Sequence, residues 1–398
     1  MTFTYEVKID DVDIAGMTLT GGTIQYGATS SGETPVPSTA FLELISADAA
    51  GDLVSDYPGV SWRGGVTSGF VDVYSDTYEG ASSILTVGVP LTVDVQTVSG
   101  FTDIYYDEYF AGNDSRRFTG TIAAIDYTPG VIGITGVDLS ERLARSLLSP
   151  SNYPPEAETA RVQRIAEAAG VKLTIVGTST VTVIGTGDNE AEDDAYSLIT
   201  RLADLTGAVF YVDRYGVPTY RCADAAPGDT YTVDPGATLL DPLAMTQELG
   251  TIVNTITVEY GVEDELTGER PTLTSVVATS VGTYGSRPPT SGVQTVDLAT
   301  RQDAQAYADR VLAAYAFPRW HMPNATAHLG LAQTDGMIDD LLTADLDDIL
   351  ELPQLLPASP EASYASRLIG YVEVLDPEAW QLTFVLDPHG WSREGIAI

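Results

Sequence analysis

RFTGTIAAID, at residues 117–126, has a second copy in this chain, RLIGYVEVLD at residues 367–376. Four residues after each copy comes a short alternating run, VIGI at 131–134 and QLTF at 381–384. Equivalent positions are 250 residues apart throughout, without a gap. Each unit has the pattern of a β-hairpin, in which two runs rich in β-branched residues flank a turn. Two copies so far apart predict two related β-domains with other material between them.

Three positions are identical in the two hairpin copies: an arginine, a glycine and an aspartate. They are Arg117, Gly120 and Asp126 in the first copy and Arg367, Gly370 and Asp376 in the second. We assign these six as candidate structural or interface residues. The glycines are expected at equivalent places in the two hairpins, and the charged residues are expected to pair at hairpin ends or between domains. The alternative is chance similarity of two amphipathic hairpins with solvated charges at their ends, because strand pairs use few residue types.

Length and residue pattern predict a mainly β fold with an α+β insert. A chain of 398 residues has room for two or three domains. The expected divisions are an N-terminal small β-barrel or sandwich (1–148), an α+β domain (149–230) and a second β-barrel (231–398). The last of these includes a helix at 300–316 and the closing hairpin at 367–387.

Two helices are predicted in the insert after the proline-rich segment 149–155. Apolar residues recur at helical spacing over 160–169, before Gly170. A second helix is expected to begin at 188–190 and to end at Gly207. Its first turn would contain the acidic cluster 190–194, where negative charge complements the helix dipole.

The composition is strongly acidic, with a net charge of −37 and only two lysines, Lys8 and Lys172. Proteins that bind DNA or RNA tightly do so through basic patches that displace counterions, and this sequence has none. An acidic surface repels nucleic acid and favours solubility. Adaptation to high salt, or a genome that prefers arginine to lysine, explains the charge equally well.

Residues suited to catalysis or metal binding do not form a recognisable pattern. Cys222 is the only cysteine, which excludes an intrachain disulfide and a thiolate cluster. The three histidines, His321, His328 and His389, lack the spacing of metal ligands. The acidic run 339–348 lacks the order of an EF-hand loop and is predicted to be a solvated loop. We therefore predict no catalytic, cofactor-binding or metal-binding residues and no enzymatic activity.

Two other classes of function remain open. An aromatic and acidic loop is compatible with stacking on sugars, which would make the protein a carbohydrate- or receptor-binding module. Its residues are Asp103, Tyr105, Tyr106, Asp107, Glu108, Tyr109 and Phe110. An acidic glycoside hydrolase or peptidase is the other possibility, although abundant carboxylates carry no information about it.

The order of parts resembles that of a known family. An N-terminal β-domain is followed by an α+β insert, then by the strand NTITVEYG at 254–261, a helix before Pro318, and a closing Arg-x-x-Gly hairpin. In this order the chain resembles the tail hub family of tailed phages, which comprises the baseplate hub of contractile tails and the tail-associated protein of siphophages. The resemblance covers nearly the whole chain, through loose motifs.

The resemblance implies a structural virion protein at the tail tip, made in the host cytoplasm. In that family three subunits with two β-domains each form a quasi-six-fold ring, which joins a six-fold tail tube to three-fold tip parts. The expected partners are two further copies of the chain, the distal tail ring protein, the tape measure protein and other tail-tip proteins. Genomic DNA would pass through without specific binding, along an acidic channel. The related alternative is the hexameric distal tail ring protein.

The start of the chain and its apolar runs lead to two further expectations. Residues 2–7 alternate as a strand and lack the features of a signal peptide. No run reaches the ~18 apolar residues of a membrane helix. The sequence therefore predicts neither conventional secretion nor a membrane-spanning helix.

Overall fold

The computed structural model is mainly β, with its helices concentrated in the middle of the chain. This arrangement confirms the predicted fold class. The residues that the structure describes are 2–9, 12–13, 17–27, 36–46, 88, 90–98, 114–128, 131–148, 153–185, 193–226, 228–233, 243–264, 266–328, 341–353, 355, 363–375 and 381–387.

The elements fall into four consecutive groups. The N-terminal strands are β1 (Thr2–Ile9), β2 (Val12–Asp13), β3 (Met17–Gly27), β4 (Val36–Ser46), β5 (Pro90–Val98), β6 (Asp114–Thr128) and β7 (Val131–Val137). The next elements are α1 (Leu139–Ala144), β8 (Glu156–Ala157), α2 (Glu158–Ala168), β9 (Thr174–Val176), β10 (Thr182–Val183), α3 (Ala195–Thr206), β11 (Val209–Val212) and β12 (Pro218–Arg221). They are followed by β13 (Thr230–Thr232), β14 (Thr255–Glu259), β15 (Thr272–Val276), α4 (Ala278–Tyr284), β16 (Gln294–Thr295) and α5 (Arg301–Tyr315). The last described strands are β17 (Asn324–His328), β18 (Ile349–Leu352), β19 (Tyr364–Val374) and β20 (Gln381–Leu386).

One sheet of twelve strands contains both copies of the duplicated hairpin. Its strand order is β13-β18-β19-β3-β4-β7-β6-β5-β1-β2, and β20 pairs with both β19 and β17. The N-terminal and C-terminal halves meet where β3 pairs antiparallel with β19, with Tyr26 opposite Tyr371. The two β regions are therefore hydrogen-bonded to each other through their backbones.

The same four-strand arrangement occurs in both halves of this sheet. Strands β4 to β7 lie in the order β5-β6-β7-β4, and strands β17 to β20 lie in the order β18-β19-β20-β17. Every neighbouring pair in both sets is antiparallel. Both sets are Greek keys, in which three consecutive strands form a meander and the remaining strand lies beside its end. The relation between the two β regions that the sequence predicted is present in their strand order.

The two hairpins differ in register, although their sequences match without a gap. In the first hairpin Thr128 faces Val131, so pairing continues up to a two-residue turn. In the second hairpin the last pair is Val374 with Gln381. Gln381 is equivalent to Val131, so its partner lies four positions earlier along the strand than the equivalent of Thr128. Pro377 lies in the connecting segment and has no N–H with which to extend the ladder. The buried positions of the two hairpins consequently do not correspond residue for residue.

A common hydrophobic core joins the two halves. Tyr26 of β3, Phe118 of β6 and Tyr371 of β19 are fully buried at its centre. The ring centroid of Tyr26 lies 6.0 Å from that of Phe118 and 4.9 Å from that of Tyr371. Because residues of both Greek keys contribute to one core, we expect the large sheet to unfold as one cooperative unit.

The α+β insert has its own core, in which α2 and α3 pack beside the three-stranded sheet β11-β12-β9. The carboxylate of Asp194 accepts a hydrogen bond from Ser197 N at 2.8 Å, and α3 therefore begins at Ala195. The prediction that residues 190–194 form its first turn is wrong for Asp193 and Asp194, which precede the helix. Residues 190–192 lie outside the described residues. Helix α3 ends at Gly207 in a left-handed conformation, as predicted.

A second α+β unit follows, which the sequence did not predict as separate. Strands β15, β14 and β16 form a three-stranded sheet, and α5 packs on it. The buried stripe of α5, which consists of Ala304, Ala308 and Leu312, covers Ile256 and Val258 of β14. The helix expected at 300–316 within the second β-barrel therefore belongs to this smaller core. The predicted second β-barrel, residues 231–398, therefore contains a separate α+β unit that the prediction did not include.

Candidate functional site

Arg117 lies at the junction between the two Greek keys. Its Nε donates a hydrogen bond to Glu373 Oε2 at 2.7 Å, and its Nη1 donates to Leu342 O at 2.5 Å. Neither charged side chain is exposed to solvent. A β-bulge turns Arg117 inward, because the pairing of β5 with β6 passes from Arg116 to Phe118 and skips it.

The ion pair between Arg117 and Glu373 constrains the two halves strongly. Both charges have been removed from water, and loss of one member of such a pair typically costs ~3–5 kcal/mol. The Arg117 guanidinium carbon also lies 5.5 Å from the centre of the Tyr371 ring, within cation–π range. These contacts link β6 of the first Greek key to β19 of the second.

Arg367, the matching arginine of the second copy, has a different environment. Its Nη2 donates to Asp387 Oδ2 at 2.9 Å, and its Nη1 lies 3.6 Å from Asp347 Oδ1. The side chain is 30% exposed. The duplicated arginines therefore do not make equivalent contacts.

Arg117 and Asp126 do not pair with each other at the end of the first hairpin. Asp126 is exposed on β6 opposite Gly133, whereas Arg117 is buried in the core beside Glu373. Asp126 follows Arg117 by nine positions along β6, with one bulge between them, and the two side chains are in different environments. Asp376 lies outside the described residues.

The duplicated glycines both lie where backbones approach closely, but against different strands. A Cβ on Gly120 would collide with Val137 O and would lie 2.7 Å from the ring of Phe118. Gly370 faces Gly27 across the β3–β19 pairing, where a Cβ on Gly27 would lie 3.1 Å from Gly370 Cα. The first glycine thus allows packing within its own Greek key, and the second lies where β19 of the second Greek key pairs with β3.

Arg214, a second buried arginine, binds the same segment as Arg117. It lies in the turn between β11 and β12, and its Nε donates to Asp345 Oδ2 at 3.0 Å. Its Nη groups donate to the carbonyl oxygens of Leu342, Thr343 and Ala344. One side chain thereby binds three consecutive carbonyls at the end of a helical turn, and one of them, Leu342 O, also accepts from Arg117. The sequence at 208–221 predicts a hairpin with its turn at 213–216, and it does not indicate these contacts.

The acidic residues that follow are bound rather than solvated. Asp347 is buried, and its Oδ2 lies 2.6 Å from Arg221 Nε. Asp348 accepts hydrogen bonds from Asp345 N at 2.7 Å and from Asp229 N at 2.8 Å. The prediction of a solvated acidic loop is therefore wrong for Asp345, Asp347 and Asp348, because arginines and backbone amides of neighbouring elements bind their carboxylates. Residues 339–340 lie outside the described residues.

Burial changes the proton affinity of two of these carboxyl groups. It raises the pKa of Asp348 to about 6, although the backbone amides of Asp345 and Asp229 lower it. The pKa of Asp347 is also raised by burial, against the opposing effect of Arg367 and Arg221.

The remaining candidates from the sequence do not form a site. His321 is close to Thr246, with 3.3 Å between Nε2 and Oγ1, and His328 faces Gln381 in the large sheet. Burial raises the pKa of the Cys222 thiol to about 11. His389 and the aromatic and acidic loop at 103–110 lie outside the described residues. In the part of the chain that the structure describes, no group of three His, Cys, Asp or Glu side chains is placed to hold a metal ion. No described helix is long and apolar enough to cross a membrane.

These contacts define a mechanical junction, which we call the arginine junction. It consists of Arg117, Arg214, Arg221 and Arg367 with Glu373, Asp345, Asp347 and the carbonyl oxygens of residues 342–344. Segment 342–347 lies at its centre, contacted from β6, from the insert and from β19. Charge-assisted hydrogen bonds of this kind fix geometry as well as contributing energy.

Comparison with known proteins shows the fold that this architecture represents. No protein-family model and no curated protein sequence matches the chain. Among solved structures, the tail protein from Neisseria meningitidis MC58 is similar with a TM-score of 0.59 and 11% identity, over 98% of both chains. The 43 kDa tail protein of prophage MuSo2 from Shewanella oneidensis is similar with a TM-score of 0.56 and 11% identity, over 97% of this chain and 98% of that one. The prophage tail protein gp18 from Listeria monocytogenes EGD-e is similar with a TM-score of 0.54 and 9% identity, over 96% of this chain and 94% of that one.

The chain has the fold of these tail proteins, two of which are prophage proteins. The similarity extends over nearly the full length of each matched chain, so it includes the large sheet and both α+β units. It agrees with the resemblance that the order of parts in the sequence indicated.

Proposed function

We propose that this protein is a structural component of the tail tip of a tailed virus, assembled as a trimeric hub. The observation that carries the proposal is the repeated Greek key, since β4–β7 and β17–β20 share one strand order within a single chain. Three chains with two related units each would provide six units around a ring. Such a ring matches a six-fold tube on one side and three-fold parts on the other.

The similarity to three tail proteins over nearly their whole length supports a place in a virus tail. Identities of 9–11% make this support one of fold. A structural role without enzymatic activity is the simplest consequence. The protein would be made in the host cytoplasm and located in the virion at the tail tip.

The arginine junction supports the hub assignment for a mechanical reason. A ring of six units made from three chains needs a constant angle between the two units of each chain. Backbone pairing of β3 with β19, together with the buried pair of Arg117 and Glu373, restrains that angle. We propose an N-terminal hub domain at 1–148, an α+β domain at 149–230 and a second β-domain at 231–398 that carries the additional α+β unit.

Partners and the path of DNA follow from the same proposal. The ring would contact the distal tail ring protein, the tape measure protein and other tail-tip proteins. Three copies, each with a net charge of −37, would place many carboxylates near a central channel. An acidic wall lets DNA slide without binding, because phosphates are repelled. A basic or apolar channel wall in a structure of the assembly would contradict this part of the proposal.

The deciding experiment is the molar mass of the purified chain, measured by light scattering at low and high salt, with two-dimensional electron microscopy classes of the same sample. We expect three chains per particle and a ring with six similar units. A hexamer would favour the distal tail ring protein. A stable monomer at both salt concentrations that also fails to form rings would argue for a binding module, which a glycan array would then test.

A further inference from the structure

Three buried polar atoms lack a hydrogen-bond partner where β3, β6 and β19 meet. They are the hydroxyl oxygens of Tyr26 and Tyr371 and Nη2 of Arg117, and no described residue bonds to any of them. All three side chains are fully buried. Buried polar groups in folded proteins nearly always have a partner, either protein or ordered water. Because Tyr371 lies close to both Tyr26 and Arg117, the three atoms indicate a common ligand.

The geometry suits a small ligand between the two tyrosines. Tyr26 and Tyr371 are direct cross-strand partners, so their side chains project from the same face of the sheet in the same direction. Their ring centroids are 4.9 Å apart and the rings are inclined by 32°. One water molecule makes two hydrogen bonds of about 2.8 Å and can therefore bridge two hydroxyls that come from neighbouring strands. The Arg117 guanidinium carbon lies 5.5 Å from the centre of the Tyr371 ring, so a third unpartnered donor lies beside this pair of tyrosines.

The surrounding charges indicate a neutral ligand. Arg117 is paired with Glu373, and Arg214 is paired with Asp345. Each of these two arginines is therefore matched by one carboxylate, without an added anion. Burial raises the pKa of both Tyr26 and Tyr371, so both hydroxyls keep their protons and can donate or accept.

We propose that one ordered water molecule bridges Tyr26, Tyr371 and Arg117 and belongs to the folded protein. It accepts a hydrogen bond from Arg117 Nη2 and exchanges hydrogen bonds with the two hydroxyls, which gives it the usual number of about three partners. Since its partners come from β3 and β6 of the N-terminal half and β19 of the C-terminal half, this water is a hydrogen-bonded link between the two halves. The inference does not depend on assembly of the protein into a tail.

The sign of a stability change tests the proposal. If a water bridges the hydroxyls, Tyr26→Phe and Tyr371→Phe each remove one of its partners. Each substitution is then expected to lower the melting temperature by on the order of 2 °C. The double variant should lose less than the sum of the single variants, because both changes affect the same molecule. If the hydroxyls have no partner, removal of either relieves a desolvation cost, and the melting temperature stays the same or rises, which would overturn the proposal.

Two matched variants calibrate this measurement. Tyr364→Phe removes a hydroxyl with a visible partner, which accepts a hydrogen bond from Met322 N at 3.1 Å, and it shows the effect of a known loss. Tyr215→Phe removes a hydroxyl from a tyrosine that is 63% exposed and should leave stability unchanged.

A direct count of the water supplies the second measurement. Oxygen-17 magnetic relaxation dispersion reports the number of water molecules held inside a protein for long times. Wild-type protein should hold at least one more than the Tyr26→Phe/Tyr371→Phe variant, and equal numbers would refute the proposal. A crystal soaked in bromide separates water from an anion, since an anomalous peak between the two hydroxyls would assign the site to an anion and contradict it.

Discussion

Arg117 and Glu373 lie 256 residues apart in the chain and form an ion pair of 2.7 Å in which neither side chain is exposed. One residue belongs to the first Greek key and the other to the second. Their pairing, beside the backbone ladder of β3 and β19, makes the two β regions interdependent. Destabilisation of one region is therefore expected to be transmitted to the other.

The first prediction concerns this pair. Arg117→Ala or Glu373→Gln should each lower the free energy of unfolding by ~3–5 kcal/mol, because each leaves the partner buried with its charge or hydrogen bonds unmet. Urea denaturation followed by fluorescence measures the change. The double variant Arg117→Met/Glu373→Leu should recover much of the loss, since no uncompensated charge remains.

Arg145→Ala is the matched control for the ion pair. Arg145 pairs with Glu141 one helical turn away, and its side chain is 78% exposed. Its removal should change stability by no more than about 0.5 kcal/mol. Similar losses of stability for Arg117→Ala and Arg145→Ala would mean that the buried ion pair stabilises the protein no more than the exposed one.

The second prediction concerns Gly120. A methyl group there would meet Val137 O and the ring of Phe118, both of which belong to the packed core. Gly120→Ala should therefore destabilise the protein by ~1–3 kcal/mol, as overpacking does. Gly282→Ala is a suitable control, because Gly282 lies in α4 with nothing within 4 Å of the added carbon. It should stabilise the protein by about 0.5–1 kcal/mol through helix propensity. The melting temperature of Gly120→Ala should be lower than that of Gly282→Ala, and the reverse order would contradict the prediction.

Local signals in the sequence were sufficient for the elements and for the repeat. Alternating runs around turn residues predicted the hairpins, and apolar spacing predicted the helices of the insert. The helix predicted at 300–316 is α5, which begins after Thr300, whose hydroxyl accepts a hydrogen bond from Asp303 N at 3.1 Å. These features depend on neighbours within a few residues, and the sequence displays them directly.

The arginine junction could not be predicted, because its contacts join positions distant in the chain. A one-residue bulge decides that Arg117 points inward, and nothing in its local pattern indicates a bulge. The aspartates after residue 344 read as a solvated run, since their arginine partners come from the insert and from β19. Asn254, quoted above as part of a motif, is likewise explained by distant partners. Its side chain donates to Gly285 O at 2.8 Å and accepts from Arg287 N at 2.8 Å.

The third prediction concerns pH. Burial raises the pKa of Asp138 to about 6, although the backbone amides of Ser38 and Ser140 donate to its carboxylate. Between about pH 4 and pH 6 the folded state therefore holds a proton that the unfolded chain has released. This contribution to stability is complete below about pH 4 and is lost as the pH rises through 6. Asp348, whose pKa is also raised to about 6, acts in the same direction.

Melting temperatures measured from pH 4.5 to 7.5 test this expectation. Asp138→Asn should flatten the fall in stability across that range, because an amide does not ionise. It should also lower the melting temperature overall, since its NH2 group replaces an acceptor that faces a backbone N–H. The Asp348 contribution remains in the variant, so a reduced slope is expected rather than none. An unchanged slope in Asp138→Asn would assign the pH dependence to other groups.

The last prediction concerns Arg214, which holds segment 342–345 against the insert through three carbonyls and one carboxylate. A lysine keeps the charge but has one nitrogen in place of the planar guanidinium, so it cannot reach all four acceptors. Arg214→Lys should therefore increase amide hydrogen exchange in residues 341–353 by at least about tenfold, since each lost charged hydrogen bond is worth ~1.5–3 kcal/mol. Exchange in β3 and β4, which Arg214 does not bind, should stay slow. Arg201→Lys is the control, because Arg201 is 57% exposed and binds only Asp193 among the described residues. Equal exchange in residues 341–353 for the two variants would show that β18 and β19 hold the segment without help from the insert. Faster exchange in Arg214→Lys alone would instead show that this single side chain couples the insert to the sheet that contains both Greek keys.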